Sequence, residues 1–187
     1  MSNQKVGGAD IAGHLLIERK TFSDFRGSLL KVFEDQDSAK LSFPEKIKQI
    51  NLVESTHIGT IRGMHVQPHP FTESKLITCI KGVVFDVVID LRKDSSTFLK
   101  WSAYLLDATN NHSIVVPSGC AHGMQALSEN STLLYVHTND FTAKYESCLN
   151  PFDPDLAISW PISASVISQR DSKLPTLAQW LRDSNEV

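Results

Sequence analysis

An all-β sandwich or barrel is the fold class this sequence predicts, and three observations predict it. The middle of the chain is a succession of short β-branched and aromatic runs broken by turn residues. Within GVVFDVVIDLR (82–92), Phe85, Val87, Ile89 and Leu91 are apolar while Asp86 and Asp90 share the other face, which is the period of a strand. A chain of 187 residues, 41% hydrophobic and 21% charged, is also long enough to bury roughly 70% of the surface its unfolded form exposes.

In chain order, strands are expected over 28–33, 47–54, 59–66, 74–80, 83–91, 98–106, 112–116, 121–127 and 131–137. Short links such as Lys81-Gly82 and Pro117-Ser118-Gly119 suit the reversals between them. One face of 83–91 is expected to go to the core. The stretch 141–170 reads as mostly irregular. After Asp171, Leu174, Leu177, Ala178 and Leu181 recur at helical spacing and Pro175 suits an opening turn, so a capping helix is expected over 174–183.

Composition excludes several classes of partner. Eighteen Lys and Arg against 21 Asp and Glu give a formal net charge of −3, with no electrostatic footprint for nucleic acid or an acidic membrane. Any anionic ligand must be met by a local cluster. Cys79, Cys120 and Cys148 are odd in number and contain no C-x-x-C pair, so they read as reduced thiols. The opening residues MSNQKVGGADIAG lack the apolar run of a secretory signal, and no stretch approaches the roughly 18 apolar residues of a membrane span. A cytoplasmic address is expected.

The polar residues in apolar settings are the candidates for chemistry. His65 in TIRGMHVQ and His122 in VVPSGCAHGMQAL sit in strand-like runs, and either alone fits a buried histidine satisfied by one hydrogen bond. Together, with Gly63, Gly119 and Gly123 permitting close backbone approach, they point to a pocket. Lys75 enters a strand and needs solvent or a negative partner. Arg26 and Arg62 each precede a glycine, a pairing that can offer a guanidinium and open backbone amides to a phosphate. Tyr135 fits a core ring, and Asp171 a helix-entry carboxylate.

Two glycine-histidine motifs on strands suggest a cupin barrel, with Gly59 and His65 in the first and Pro117, Gly119 and His122 in the second. A metal-binding cupin needs more ligands than remain: Gln67 stands at the second histidine position and Glu73 is displaced. What remains resembles the metal-free dTDP-4-dehydrorhamnose 3,5-epimerase family from residue 22 to about 177. The matching segments are Phe22, Asp24, Arg26 and Gly27; Gln49 and Asn51; I-R-G-x-H-x-Q at 61–67; Lys75 and Leu76; G-x-x-x-D-V-x-x-D-L-R at 82–92; P-x-G-x-A-H-G at 117–123; and D-P-x-x-x-I-x-W-P at 153–161.

The resemblance implies a cupin-type double-stranded β-helix, or jelly roll, with a few short helices including one near the C-terminus. Residues 1–187 would form a single domain with its core at about 22–140 and 141–187 packed on the barrel. It implies an isomerase that inverts C3, C5 or both of a nucleotide-linked 4-keto-6-deoxyhexose, in deoxysugar and cell-surface polysaccharide synthesis. His65 would be the base, Asp171 its carboxylate partner, Tyr135 the opposing acid, and Lys75 and His122 polar supports around the ketone. Arg26, Arg62, Gln49 and Asn51 would bind the nucleotide diphosphate end. No cofactor, metal, nucleic acid or membrane is implied, and the family is typically a homodimer.

The chemistry suits these groups. C–H bonds beside a ketone are acidified because the anion delocalises onto the carbonyl oxygen, so epimerisation needs no redox cofactor. A neutral imidazole takes protons near neutral pH, and a carboxylate on its far nitrogen fixes the tautomer. Inversion then needs a second group on the opposite face of the ring. Phe141 stands where a second pocket tyrosine is common in the family, and Leu29, Lys31, Met64, Val66 and Met124 also depart from its pattern. A single-position 3- or 5-epimerase on a CDP- or GDP-linked sugar is therefore the alternative. A metal-dependent cupin isomerase or oxygenase and a noncatalytic sugar-nucleotide binder are the readings from other classes.

Overall fold

A computed structural model of the chain describes residues 5–34, 47–142 and 146–184. Its strands in chain order are β1 (Lys5–Gly8), β2 (Leu15–Glu18), β3 (Thr21–Asp24), β4 (Gly27–Leu30), β5 (Gln49–Ser55), β6 (Thr60–Val66), β7 (Lys75–Lys81), β8 (Val83–Asp90), β9 (Trp101–Asp107), β10 (His112–Val116), β11 (Cys120–Ala126), β12 (Ser131–His137), β13 (Ser147–Cys148) and β14 (Val166–Ile167). A 3-10 turn at Asp171–Lys173 and helix α1 (Leu177–Asp183) follow.

Two antiparallel sheets face each other, as the jelly roll expected from the resemblance requires. One runs β1-β9-β8-β11-β6-β13, with β14 added to β6 in parallel, and the other runs β2-β10-β7-β12-β5. A small hairpin, β3-β4, stands apart from both. Ile77, Cys79, Leu133 and Tyr135 of the second sheet meet Val84, Val88, Leu106 and Met124 of the first, and this contact is the inner core.

The structure corrects the expectation for 83–91. Both faces of β8 are buried: Val84 and Val88 join the inner core, while Phe85, Val87 and Ile89 pack under Leu149, Leu156, Leu177, Trp160 and Trp180. Alternation marked two different buried surfaces, because the C-terminal segment covers the outer face of the first sheet. Asp86 shares its side with Val84 and Val88, so the strand's pleat turns its carboxylate into the barrel.

The expected helix over 174–183 is shorter. Thr176 caps it, accepting from the Gln179 amide while Gln179 reaches back to the Thr176 backbone, and Pro175 lies outside. The chain before it, expected to be irregular over 141–170, contains among its described residues only the two-residue strands β13 and β14. Three N-terminal strands, β1 to β3, were not expected. They carry too few β-branched residues to signal themselves, and β1 and β2 form by adding to the edges of β9 and β10.

Gly63 and Gly123 let β6 and β11 approach closely. At Gly63, φ is +114°, and a Cβ built there would lie 2.6 Å from Gly123 Cα and 2.7 Å from His122 O. Both obstacles are backbone, so neither can step aside. Gly63→Ala is expected to cost about 2 kcal/mol or more and to lower the melting temperature by about 4–8 °C in a thermal scan; an unchanged melting temperature would show that these backbones are free to separate.

Candidate active site

A cavity of about 560 Å³ opens between the two sheets. Its walls come from both: His65 on β6 and His122 on β11 from the first sheet, Asn51, Lys75, Tyr135 and His137 on β5, β7 and β12 from the second. Asp171, Arg170 and Glu146 close it from the C-terminal segment. Strand pairing sets His65 directly opposite His122 on the neighbouring strand.

His65 is the most accessible of the three cavity imidazoles, its side chain 21% exposed. Its Nε2 lies 2.9 Å from Asp171 Oδ1 and also 2.8 Å from Arg170 Nη2. One nitrogen cannot both donate to the carboxylate and accept from the guanidinium. Burial alone would raise the Asp171 carboxyl, but the hydrogen bond and charge of His65, the Gly63 amide 3.2 Å away, and Arg170 together hold it at about 2. Asp171 is therefore an ionised acceptor at neutral pH, which favours the proton on Nε2 and leaves the lone pair on Nδ1. Nδ1 is 3.7 Å from Glu146 Oε1, a second carboxylate suited to steadying the imidazolium once Nδ1 takes a proton.

Tyr135 is held between two imidazoles. His122 meets its ring edge-on at 5.7 Å, and His137 lies nearly parallel at 5.8 Å. Burial pushes the Tyr135 phenol above its ordinary value, and the Asp86 charge pushes the same way against Arg62. The phenol is protonated at neutral pH, as an acid must be before it gives. His122 Nε2 donates to both oxygens of fully buried Asp86 at 2.9 Å. Burial drives the Asp86 carboxyl up, and His122 and Lys75 offset this only in part.

Lys75 finds the negative partner that its place in a strand demands: Glu73 Oε1, 3.2 Å from Nζ. Arg62 lines the cavity with Nε donating to Ser55 Oγ at 3.1 Å and Nη2 to the Glu54 carbonyl at 2.8 Å. Gln49 lies behind it, donating to Asn51 Oδ1 at 3.0 Å and accepting from the Phe141 amide at 3.1 Å. The structure thus brings together His65, Asp171, Tyr135, Lys75, His122, Asn51 and Arg62, with Gln49 one hydrogen bond away.

Arg26 does not line the cavity of its own chain. It sits at the tip of the β3-β4 hairpin with its side chain 77% exposed, paired with Asp24 at 2.5 Å. Among the described residues, the hairpin pairs with neither large sheet. Sequence reasoning in turn missed Asp86, His137, Glu146 and Arg170 as site residues and placed Glu73 only as a displaced metal ligand. Glu73 and Lys75, like Tyr135 and His137, stand two residues apart, the strand spacing that shares a face. That signal was available.

The positions that would serve a cupin metal are engaged elsewhere. Gln67 accepts from the Thr142 amide and donates to the Asp140 carbonyl, His122 is committed to Asp86, and Glu73 to Lys75 and His137. Among the described residues, His65, Glu146 and Cys148 do bring three possible ligand atoms within 4.8 Å of one another. Arg170 already lies across this group with Nη1 2.6 Å from Glu146, a cation where a metal would sit.

Known proteins share this architecture. The family model for dTDP-4-dehydrorhamnose 3,5-epimerase matches residues 8–179. An enzyme of that name from Sinorhizobium fredii is 35% identical over 170 residues, 90% of this chain and 87% of its own length. The crystal structure of a Bacillus anthracis dTDP-4-dehydrorhamnose 3,5-epimerase with TDP and PPi bound superposes with a TM-score of 0.84 at 33% identity, covering 94% of this chain and all of that one. A 3'-monoepimerase from Streptomyces bikiniensis in complex with dTDP-quinovose gives 0.87 at 31% identity, covering 94% and 89%. Jelly roll and cavity together define a sugar-nucleotide epimerase, an isomerase of carbohydrates. The chain belongs to the dTDP-4-dehydrorhamnose 3,5-epimerase family.

The Asp171 carboxyl titrates below its ordinary 3.8 in the folded protein, so the unfolded chain takes up its proton first as pH falls. The stability that Asp171 supplies is complete above about pH 4 and is lost as pH falls toward 2. Melting temperatures of the unmodified protein and Asp171→Asn across this window should show a steeper decline for the unmodified protein; parallel curves would mean that the carboxylate gains nothing from its partners.

Proposed function

We propose that the chain inverts the carbons flanking the ketone of a dTDP-linked 4-keto-6-deoxyhexose, with His65 as base and Tyr135 as acid. The observation that carries this is that the His65–Asp171 pair and Tyr135 stand on opposite sheets and line one cavity. A sugar ring between them would expose one face to an imidazole and the other to a phenol. His65 Nδ1 takes the proton, and the bonding pair moves onto the C4 oxygen as an enolate. Lys75 supplies a donor for that oxygen, with His122 a polar support beside it, and loss of such a donor typically costs about 100-fold or more. Tyr135 delivers a proton from the far face, and both residues return to their starting states through solvent.

Arg62, Asn51 and Gln49 take the nucleotide diphosphate end, so that contacts remote from the reacting carbons hold the ring in place. The TDP and PPi bound by the Bacillus anthracis relative and the dTDP-quinovose bound by the Streptomyces bikiniensis one support dTDP as the nucleotide. Incubation with the keto sugar nucleotide in deuterated water should incorporate label at two carbons, and His65→Ala should slow incorporation by about 100-fold or more. Label at one carbon would replace the double epimerase with a single-position one, which Phe141 in the cavity wall favours. Unchanged incorporation in the variant would remove His65 from the chemistry.

We further propose that the whole chain acts as one cupin-like domain, in the cytoplasm, as a homodimer. Burial of α1 and β8 residues in one cluster supports the first, and three free thiols suit a reducing compartment. The hairpin exposes Phe22, Phe25 and Leu29, at 54%, 98% and 57%, and the edge strand β5 exposes Ile50 and Leu52. Such exposed apolar side chains suit a second copy, beside whose cavity Arg26 would then be available. Sedimentation should give twice the chain mass, with Phe25→Asp and Leu52→Asp shifting it toward one; a monomer at micromolar concentration would defeat this assignment.

A further inference from the structure

Beside the base and its partner, the cavity holds a second charged assembly, of which the mechanism above uses only Lys75. Glu73 is buried, its side chain 4% exposed, and it divides its oxygens: Oε1 lies 3.2 Å from Lys75 Nζ and Oε2 2.7 Å from His137 Nδ1. Donation from Nδ1 to the carboxylate leaves His137 Nε2 as an acceptor, and Asn51 Nδ2 approaches it at 3.4 Å. The His137 ring, oriented by these two bonds, lies at 15° to the Tyr135 ring. One carboxylate therefore fixes both the ammonium meant for the enolate oxygen and the ring that backs the acid. Burial would drive the Glu73 carboxyl up, but His137 and Lys75 outweigh it and keep the group ionised.

We propose, resting on the epimerase function above, that Glu73 and His137 are positioning residues that set Lys75 and Tyr135 in register with the substrate. The two arms of Glu73 make the idea separable. His137→Ala removes the wall behind Tyr135 and leaves His65 and Lys75 untouched. Glu73→Gln keeps an oxygen that can accept from His137 but deletes the charge opposite Lys75. Misplacement of a reacting group by about 1 Å can cost on the order of 100-fold, so effects of tenfold or more are expected.

The test follows solvent deuterium into dTDP-4-keto-6-deoxyhexose while measuring inverted product in the same samples. Exchange without inversion reports enolate formation, loss of the abstracted proton from His65 to solvent, and delivery of a deuteron by His65 to the original face. In His137→Ala, exchange should stay within about threefold of the unmodified protein while inversion falls tenfold or more, the pattern expected of Tyr135→Phe as well. In Glu73→Gln, exchange and inversion should fall together by tenfold or more. Equal loss of both in His137→Ala, or no loss in either variant, overturns the proposal. If only one variant folds, as judged by its melting curve, the pattern in that variant decides. Absence of exchange in the unmodified protein overturns the epimerase function itself, and this proposal with it.

Discussion

The Asp171 carboxylate holds together two parts of the chain that lie 106 residues apart. One oxygen receives the Gly63 amide and the other the His65 imidazole, both on β6. Delivery of the carboxylate depends on β14, which adds in parallel to β6 at Val166–Thr60 and Ile167–Ile61 and aims the following 3-10 turn at the cavity mouth. The close approach of β6 to β11 at glycine residues then sets His65 beside His122. Asp171 thereby orients the His65 imidazole and joins the C-terminal segment to the cavity wall.

The three imidazoles that line the cavity are each answered by a carboxylate: His65 by Asp171, His122 by Asp86 and His137 by Glu73. Taking such groups out of water is expensive, and each pair repays the cost only through good geometry and further hydrogen bonds. The arrangement makes sense as a rigid frame for Tyr135, which has an imidazole on either side and depends on neither for a proton. Stability alone would have been served as well by apolar residues of the same volume. Fixing the direction of polar groups around a reacting ring would not.

Much of this frame was legible in the sequence, and the limits of legibility have physical causes. The strands 112–116 and 131–137 form where β-branched alternation predicts them. The strand expected from 98 begins only at Trp101, because Leu99 adopts a φ of 61° and the preceding residues close turns on Arg92, Ser95 and Thr97. His65 and His122 declared themselves by being titratable in apolar runs. Asp86 did not, since its partner lies 36 residues away and no local spacing encodes which strands become neighbours. Arg26 shows the converse: its motif is local and readable, but its destination depends on where a hairpin is placed, which the motif does not contain.

Placement of Asp171 after the strands of the inner core has a consequence for biosynthesis. Every strand of the inner core precedes residue 138, so both facing sheets can assemble while the ribosome is still synthesising the segment that carries Asp171. That later segment supplies β13, β14 and the cover over the outer face of the first sheet as well as the partner that orients the His65 imidazole. Under the proposed mechanism, the imidazole gains its orienting partner only when this segment packs on strands that precede it in the chain.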